Sequence, residues 1–326
     1  MNSTISTISN KKQAPHLKEY YEMRYYFGTT VWLHCFYDEG IDICKAARAC
    51  WEKAQAIQVY MNVYAQPLQG SLSWLNSCGY QGVCVQKDVF NILKKSLEYS
   101  RLTAGAYDVT IFPLVQLWKN AAKEGHLPDK KFLEEVRALV GWQNIVLIAP
   151  DLVFFKKKGM MADLGSPASG YFCDEIAGIL DFYNIKHFMV DGGGEIFCRG
   201  KNMGLVPWRV GVQDPFDTSK VWVDVDLQDQ GVSTSGNYEK FSKIGTETFS
   251  HIIDPRTGYP QKGAASATVI AQTTQAANEL STALCVMGGC KGLEFIRTLK
   301  NVEALIIENN NGKILQYQTD GFVKKL

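Results

Sequence analysis

The sequence predicts an α+β fold in which helices and a mixed sheet form one body. Three observations carry this. Apolar residues recur at helical spacing over 41–59, 87–101, 129–140 and 273–287, and the segment 162–171 opens a further helix through Leu180. Short β-branched and aromatic runs, bounded by Gly, Pro, Asn and Asp, lie between and after them. Two hairpins are marked, one by Pro150-Asp151 between 144–149 and 152–156, the other by Asn310-Asn311-Gly312 between 302–308 and 313–317. No linker rich in Pro, Gly or Ser divides the chain and no internal repeat appears. Residues 21–326 therefore read as one domain, behind a polar arm over 1–20 that is expected to be disordered.

In chain order, Arg24 to Tyr37 reads as a strand interrupted at Gly28-Thr29-Thr30, where a glycine marks a bulge or a close approach to the backbone. The helix over 41–59 gathers Ile43, Ala47, Cys50, Trp51, Ala54 and Ile57 on one face. Asn62-Val63-Tyr64 then leads through a loop at Gly70-Ser71 into SLSWLN. The helix over 87–101 ends in small and polar residues at 103–110, before Pro113 to Trp118, to which no element is assigned. Asp129 suits the N-cap of the next helix. The small residues in 162–171, which open a helix through Leu180, leave backbone N–H groups that could meet an anion, or simply make a tight loop. A strand over 186–191 runs into Gly192-Gly193-Gly194, and a second follows over 195–198. The glycines open the backbone to a ligand or make a tight turn. No GxGxxG dinucleotide fingerprint is present.

Strands over 208–212 and 221–227 precede a polar strand end at 232–238. Ser250 to Ile253 reads as a strand closed by a turn over Pro255–Gly258. His251 and Asp254 then sit at its mouth, either as a satisfied core histidine and a turn-capping aspartate or as carriers of chemistry. In the 273–287 helix, which follows a strand over 265–271, Asn278 and Thr282 are four apart and share a side. A short helix over 291–299 follows.

Composition excludes several classes. Lys plus Arg (34) nearly balances Asp plus Glu (33), so no net field draws nucleic acid or an anionic membrane. Nine scattered cysteines without a CxxC pair argue against a zinc ribbon and for reduced thiols. Residues 1–20 lack the apolar core of a signal peptide, and no run reaches the ~20 apolar residues that span a bilayer. The expected location is the cytoplasm, a removed leader aside.

The ordered set FGTT (27–30), SLSWLN (71–76), GAYDVTIFPLVQLW (105–118), ADLGSPASGYFCD (162–174), DGGGEI (191–196), WRVGVQDP (208–215), STSGNYEKF (233–241), SHIIDPRTG (250–258) and NELSTALCVMG (278–288) resembles the ApbE-type FAD:protein FMN transferases. The resemblance implies a T-fold-like α/β fold with a flavin-binding cleft. It implies cleavage of FAD, attachment of FMN through a phosphoester to a Ser or Thr of an acceptor flavoprotein, and release of AMP, with Mg²⁺ neutralising the pyrophosphate.

Carried over by position, Thr282 matches a metal-binding threonine, Asn278 stands at a metal-binding aspartate, and Ser166 offers its backbone carbonyl to the metal. His251 matches the histidine near the reacting phosphate, and a histidine, whose type titrates near ~6.5, suits proton transfer. Gly28, Thr29 and Tyr64 fall where the family contacts flavin or adenine. Thr234, Ser235 and Gly236 line the same cleft, with Gly193 and Ser169 beside it, and Arg256 holds the turn or the phosphates.

The chain departs from the family pattern at Ser169 (a lysine in the family), Asn278 and Asn237 (both aspartates). A neutral amide is a poorer Mg²⁺ ligand than a carboxylate. Two alternatives therefore stand beside the transferase: a catalytically weakened FAD-binding protein, and an FAD pyrophosphatase giving FMN and AMP.

Overall fold

Alternation of apolar residues along the strands gives the main sheet two dry faces. The computed structural model describes residues 17–237, 241–245 and 247–322. In chain order the elements are β1 (Leu17–Tyr26), β2 (Thr29–Asp38), α1 (Ile43–Met61), α2 (Leu72–Cys78), β3 (Val83–Cys84), α3 (Lys87–Leu102), α4 (Phe112–Glu124), α5 (Lys130–Arg137), β4 (Ile145–Ile148), β5 (Leu152–Phe155), α6 (Gly165–Phe182), β6 (His187–Asp191) and β7 (Ile196–Arg199). Then come β8 (Trp208–Gln213), β9 (Val221–Leu227), β10 (Gln230–Gly236), β11 (Phe241–Ile244), β12 (Glu247–Ser250), β13 (Ser266–Ala271), α7 (Thr274–Met287), α8 (Gly289–Ile296), β14 (Glu303–Asn310) and β15 (Lys313–Gln318).

The main sheet runs β1-β2-β6-β7-β10-β13-β14-β15. The fold is α+β, as the sequence predicts. Each of these ladders is antiparallel, so what is mixed is helix with strand rather than strand direction. Val31, Leu33 and Cys35 of β2, Phe188 and Val190 of β6 and Phe197 of β7 pack beneath α1, α3 and α6. Their neighbours Phe36, Met189, Ile196 and Cys198 face the other way, against Trp208, Val212, Val225 and Leu227 of the β8–β9 hairpin. A further core joins α4 and α5 to Ile244 and Ile253.

Further expectations are corrected. The interrupted strand over 24–37 is a hairpin. Phe27 (φ 54) and Gly28 (φ 79) make a two-residue turn of left-handed residues between Tyr26 and its partner Thr29. β1 begins at Leu17, so residues 17–20 of the expected arm are strand; the rest of the arm lies outside the described residues. The strand expected over 250–253 ends at Ser250. Its hydroxyl accepts from Ile252 N at 3.0 Å and donates to Asn237 Oδ1 at 2.5 Å, which draws the backbone out of the ladder. Finally, 112–124 is helical, because Pro113 lies in the first turn of α4, where its missing N–H costs nothing.

Candidate active site

α7 is buried continuously from Thr274 to Ser281, with the sheet on one side and α3, α6 and α8 around it. A helix enclosed in this way must pair its polar side chains internally, and those pairs mark the site. Asn278, only 3% exposed, is at the centre. Its Oδ1 accepts from Ser166 Oγ at 2.9 Å. Its Nδ2 donates to Glu195 Oε1 at 2.9 Å and to Ser233 Oγ at 3.4 Å. One turn on, Thr282 Oγ1 donates to the Asn278 carbonyl at 3.1 Å and lies 3.1 Å from Ser235 Oγ. Ser169 Oγ donates to the Ser166 carbonyl at 3.1 Å. Ser166, Ser169, Ser235, Asn278 and Thr282 therefore converge where α6, α7 and β10 meet.

Strand alternation explains which β10 residues take part. Ser233 and Ser235 point to α7. Thr234, expected to line the same cleft, faces away: it shares the side of Val232, which packs toward β8–β9, and meets Thr268 at 2.8 Å. Gly236 ends β10 opposite Ser266.

Gly193 touches Thr29. A Cβ on Gly193, at φ +102, would fall 2.3 Å from Thr29 Cγ2, so the approach requires glycine. Asp191 Oδ1 accepts from Gly193 N and Gly194 N at 2.8 Å each. Burial raises the Asp191 pKa, and these two bonds oppose the shift. The turn delivers Glu195, whose own carbonyl accepts from Gly192 N at 2.8 Å and Cys173 Sγ at 3.1 Å. Sequence reasoning missed Glu195; its signal was an acidic residue directly after the three glycines of DGGGEI.

The α7 N-terminus is already occupied. Asp174 accepts from Thr274 N at 2.7 Å and Gln275 N at 2.9 Å, and burial pushes its pKa up to about 6. α6 opens differently: Leu164 gives it no side-chain cap, and Asp163 Oδ1 takes Gly165 N at 2.8 Å.

The segments on either side of His251 are tied together by Asn237. Its Oδ1 accepts from Ser250 Oγ at 2.5 Å and Gln261 Nε2 at 2.6 Å, while its Nδ2 donates to the Ala264 carbonyl at 3.0 Å. An aspartate cannot make that last bond. Asn237→Asp is expected to cost ~1–3 kcal/mol, read from denaturant unfolding, and unchanged stability would refute the account. His251 itself is exposed, between Ser250 and the buried Ile252 and Ile253. Arg256 is committed to Asp254 through two bonds of 2.9 Å. Trp118 Nε1, at 2.8 Å from the Gly258 carbonyl, pins this turn to α4. Tyr64 is 64% exposed, edge-on to Phe112 and bonded through its hydroxyl to Lys119, outside the group bonded to Asn278.

The donor set around Asn278 is all oxygen, which suits a hard cation. Mg²⁺ commonly takes one or two carboxylates and completes its shell with water and substrate phosphate, so a closed protein cage is not required. Among the described residues no group of three or more His, Cys, Asp or Glu side chains is placed to hold a metal. Ser166, Asn278 and Thr282 offer three neutral oxygens of the kind a hard cation takes, with no carboxylate among them. Two clefts, of ≈ 560 Å³ beside Glu22, Arg24 and Trp51 and ≈ 390 Å³ beside Asp174 and Phe182, contain none of these three residues. Polar convergence, not cavity size, locates the site. Among the described residues no helix is long and apolar enough to cross a membrane.

Known proteins match along most of this chain. The model of the ApbE family matches residues 27–306. The FAD:protein FMN transferase of Haemophilus influenzae is 34% identical over 300 residues, covering 87% of this chain and 85% of that protein. That of Treponema pallidum is 31% identical over 254 residues, covering 73% and 70%. The flavin transferase ApbE from Vibrio cholerae superposes with a TM-score of 0.82 at 26% identity, over 94% of this chain and 98% of that one. The ApbE protein of Thermotoga maritima gives 0.81 at 27% identity, over 92% and 97%.

Proposed function

The chain belongs to the ApbE family, and from that premise we propose that it is an FAD:protein FMN transferase. It cleaves FAD, attaches FMN through a phosphoester to a Ser or Thr hydroxyl of a target flavoprotein, and releases AMP. The observation that carries the reading into this structure is the convergence of Ser166, Ser235, Asn278 and Thr282 within the family-matched segment.

In this reading the acceptor oxygen attacks the phosphorus of the FMN half. The bond from that phosphorus to the bridging oxygen breaks, and AMP leaves with that oxygen. His251 takes the proton of the acceptor hydroxyl. The Ser166 carbonyl, Asn278 Oδ1 and Thr282 Oγ1 would hold Mg²⁺. When bound, the ion spreads the charge of the pyrophosphate and the leaving phosphate. The start of α6, where Asp163 takes the Gly165 N–H, would lie toward the same phosphates. Gly28, Thr29, Gly193 and Tyr64 border the flavin and adenine, and Arg256 exchanges Asp254 for a phosphate.

One observation favours the weakened, FAD-binding alternative. Ser169, where the family carries a lysine, spends its hydroxyl on the Ser166 carbonyl and brings no charge to a phosphate. AMP release from FAD with Mg²⁺, measured with and without an acceptor flavoprotein, separates the readings. Acceptor-dependent AMP supports transfer, and acceptor-independent AMP supports hydrolysis. Bound FAD with no AMP supports the weakened protein. His251→Ala is expected to lower transfer ~100-fold with FAD binding retained; full turnover would remove His251 from the reaction.

A further inference from the structure

A primary amide is a two-ended ligand: its oxygen binds a hard cation and its NH₂ does not. Asn278 can serve the cation site only if something decides which end faces it. Its partners differ in that ability. Hydroxyls donate or accept, so Ser166 and Ser233 tolerate either orientation. An ionised carboxylate only accepts. Flipping the amide would set Asn278 Oδ1 against Glu195 Oε1 at the 2.9 Å where Nδ2 now donates, two acceptors in contact. Glu195 is well placed for this role, because Gly192 N and Cys173 Sγ hold its carbonyl and Asp191 locks the glycine turn before it.

We infer that Glu195 is a positioning residue that anchors Nδ2 of Asn278, so that Oδ1 faces Ser166 and is presented to a divalent cation. The inference rests on the cation site proposed at Ser166, Asn278 and Thr282. It gives the neutral residue at 278 a partner 83 positions away that makes it a usable ligand. It also carries a specific consequence. A carboxylate at 278 has two equivalent oxygens and needs no orienting partner, and one of them would meet Glu195 Oε1 in the contact where Nδ2 now donates, so once residue 278 is Asp, Glu195 should no longer help and should oppose the site instead.

Mn²⁺ binding, followed by electron paramagnetic resonance on the full chain without FAD, reads this directly. Glu195→Gln, which can donate as well as accept, is expected to weaken Mn²⁺ binding about tenfold or more. In the Asn278→Asp background the same substitution is expected to leave Mn²⁺ binding unchanged or to tighten it, because Gln can donate to the new carboxylate, whereas a ligand, a general charge effect or a merely structural role would lower affinity in both backgrounds. Equal losses in the two backgrounds, or unchanged affinity in Glu195→Gln, overturn the inference. So does a wild-type protein that binds no Mn²⁺. Glu195→Ala, which removes both acceptor oxygens, carries the same comparison if the Gln variant does not fold. Flavin fluorescence measures FAD binding separately. Wild-type protein that binds FAD while the inference fails leaves the transferase reading standing; loss of FAD binding removes that reading itself.

Discussion

Glu279→Gln is expected to stabilise the protein at neutral pH and to flatten the dependence of its stability on pH. Glu279 lies on α7 beside Asn278 but points into the core, fully buried. Ser96 Oγ donates to its Oε1 at 2.5 Å, Gln275 Nε2 at 3.0 Å and Tyr107 OH at 3.4 Å. Its Oε2 has no hydrogen-bond partner among the described residues. Desolvation is the larger effect and outweighs the three donors, pushing the pKa up from 4.5 to about 8. A carboxyl raised in the folded state favours folding while both states are protonated. That advantage is lost as pH climbs from the unfolded value toward the folded one. Between pH 5 and pH 7.5 the loss is on the order of 3 kcal/mol. Glutamine keeps the shape and the oxygen that accepts the three bonds and carries no charge to desolvate. Asp174, raised to about 6, acts in the same direction but is common to both proteins and cancels in the difference. Urea unfolding of both proteins at pH 5 and pH 7.5 should show curves that converge at the lower pH and separate at the higher. Parallel behaviour would mean that Glu279 is solvated or differently paired.

What was legible in the sequence is what local spacing controls. The four-residue step from Asn278 to Thr282 put both on one side of a helix. The period of two in Ser233-Thr234-Ser235 implied that the hydroxyls divide between faces, yet the motif was read as a continuous wall, and Thr234 faces away. Turn chemistry placed the β4–β5 and β14–β15 hairpins, because Pro-Asp and Asn-Asn-Gly allow few alternatives. Partners set by tertiary folding were not legible. Asp174 reaches α7 across 100 residues, and Ser96 reaches Glu279 across 183. The strand end at Ser250 depends on a hydroxyl bond to Asn237, which neither residue signals alone. Glu279 looked like an ordinary helical carboxylate, since no local pattern says that both sides of α7 are covered. The departures from the family pattern were read as losses of charge. In the structure Asn237 is a three-bond junction that only an amide can make.

Gly231→Ala is expected to cost ~3 kcal/mol or more and to reduce function with it. Gly231 lies on the α7 side of β10, two residues before Ser233. A Cβ there would fall 2.5 Å from Thr274 N and 2.6 Å from Thr274 Cα, backbone atoms that no rotamer change can move aside. Gly170, in the PASGY segment of α6, meets the same turn from the other side, its Cβ position 2.8 Å from Gln275 Cα and 2.9 Å from the Thr274 carbonyl. The first turn of α7 is thus seated between two glycines and tied down by Asp174. This seating sets how closely Asn278 approaches Ser233 on β10 and Ser166 on α6, so displacing the turn stretches the bonds that assemble the site. Gly178, also on α6, is the control. It has nothing within 4 Å of its Cβ position, and Gly178→Ala should be neutral or stabilising by up to ~1 kcal/mol through helix propensity. If Gly231→Ala unfolds at the same denaturant concentration as Gly178→Ala, the close approach of α7 to β10 is wrong. Loss of stability with cation binding and AMP release intact would keep the packing and break its link to the site.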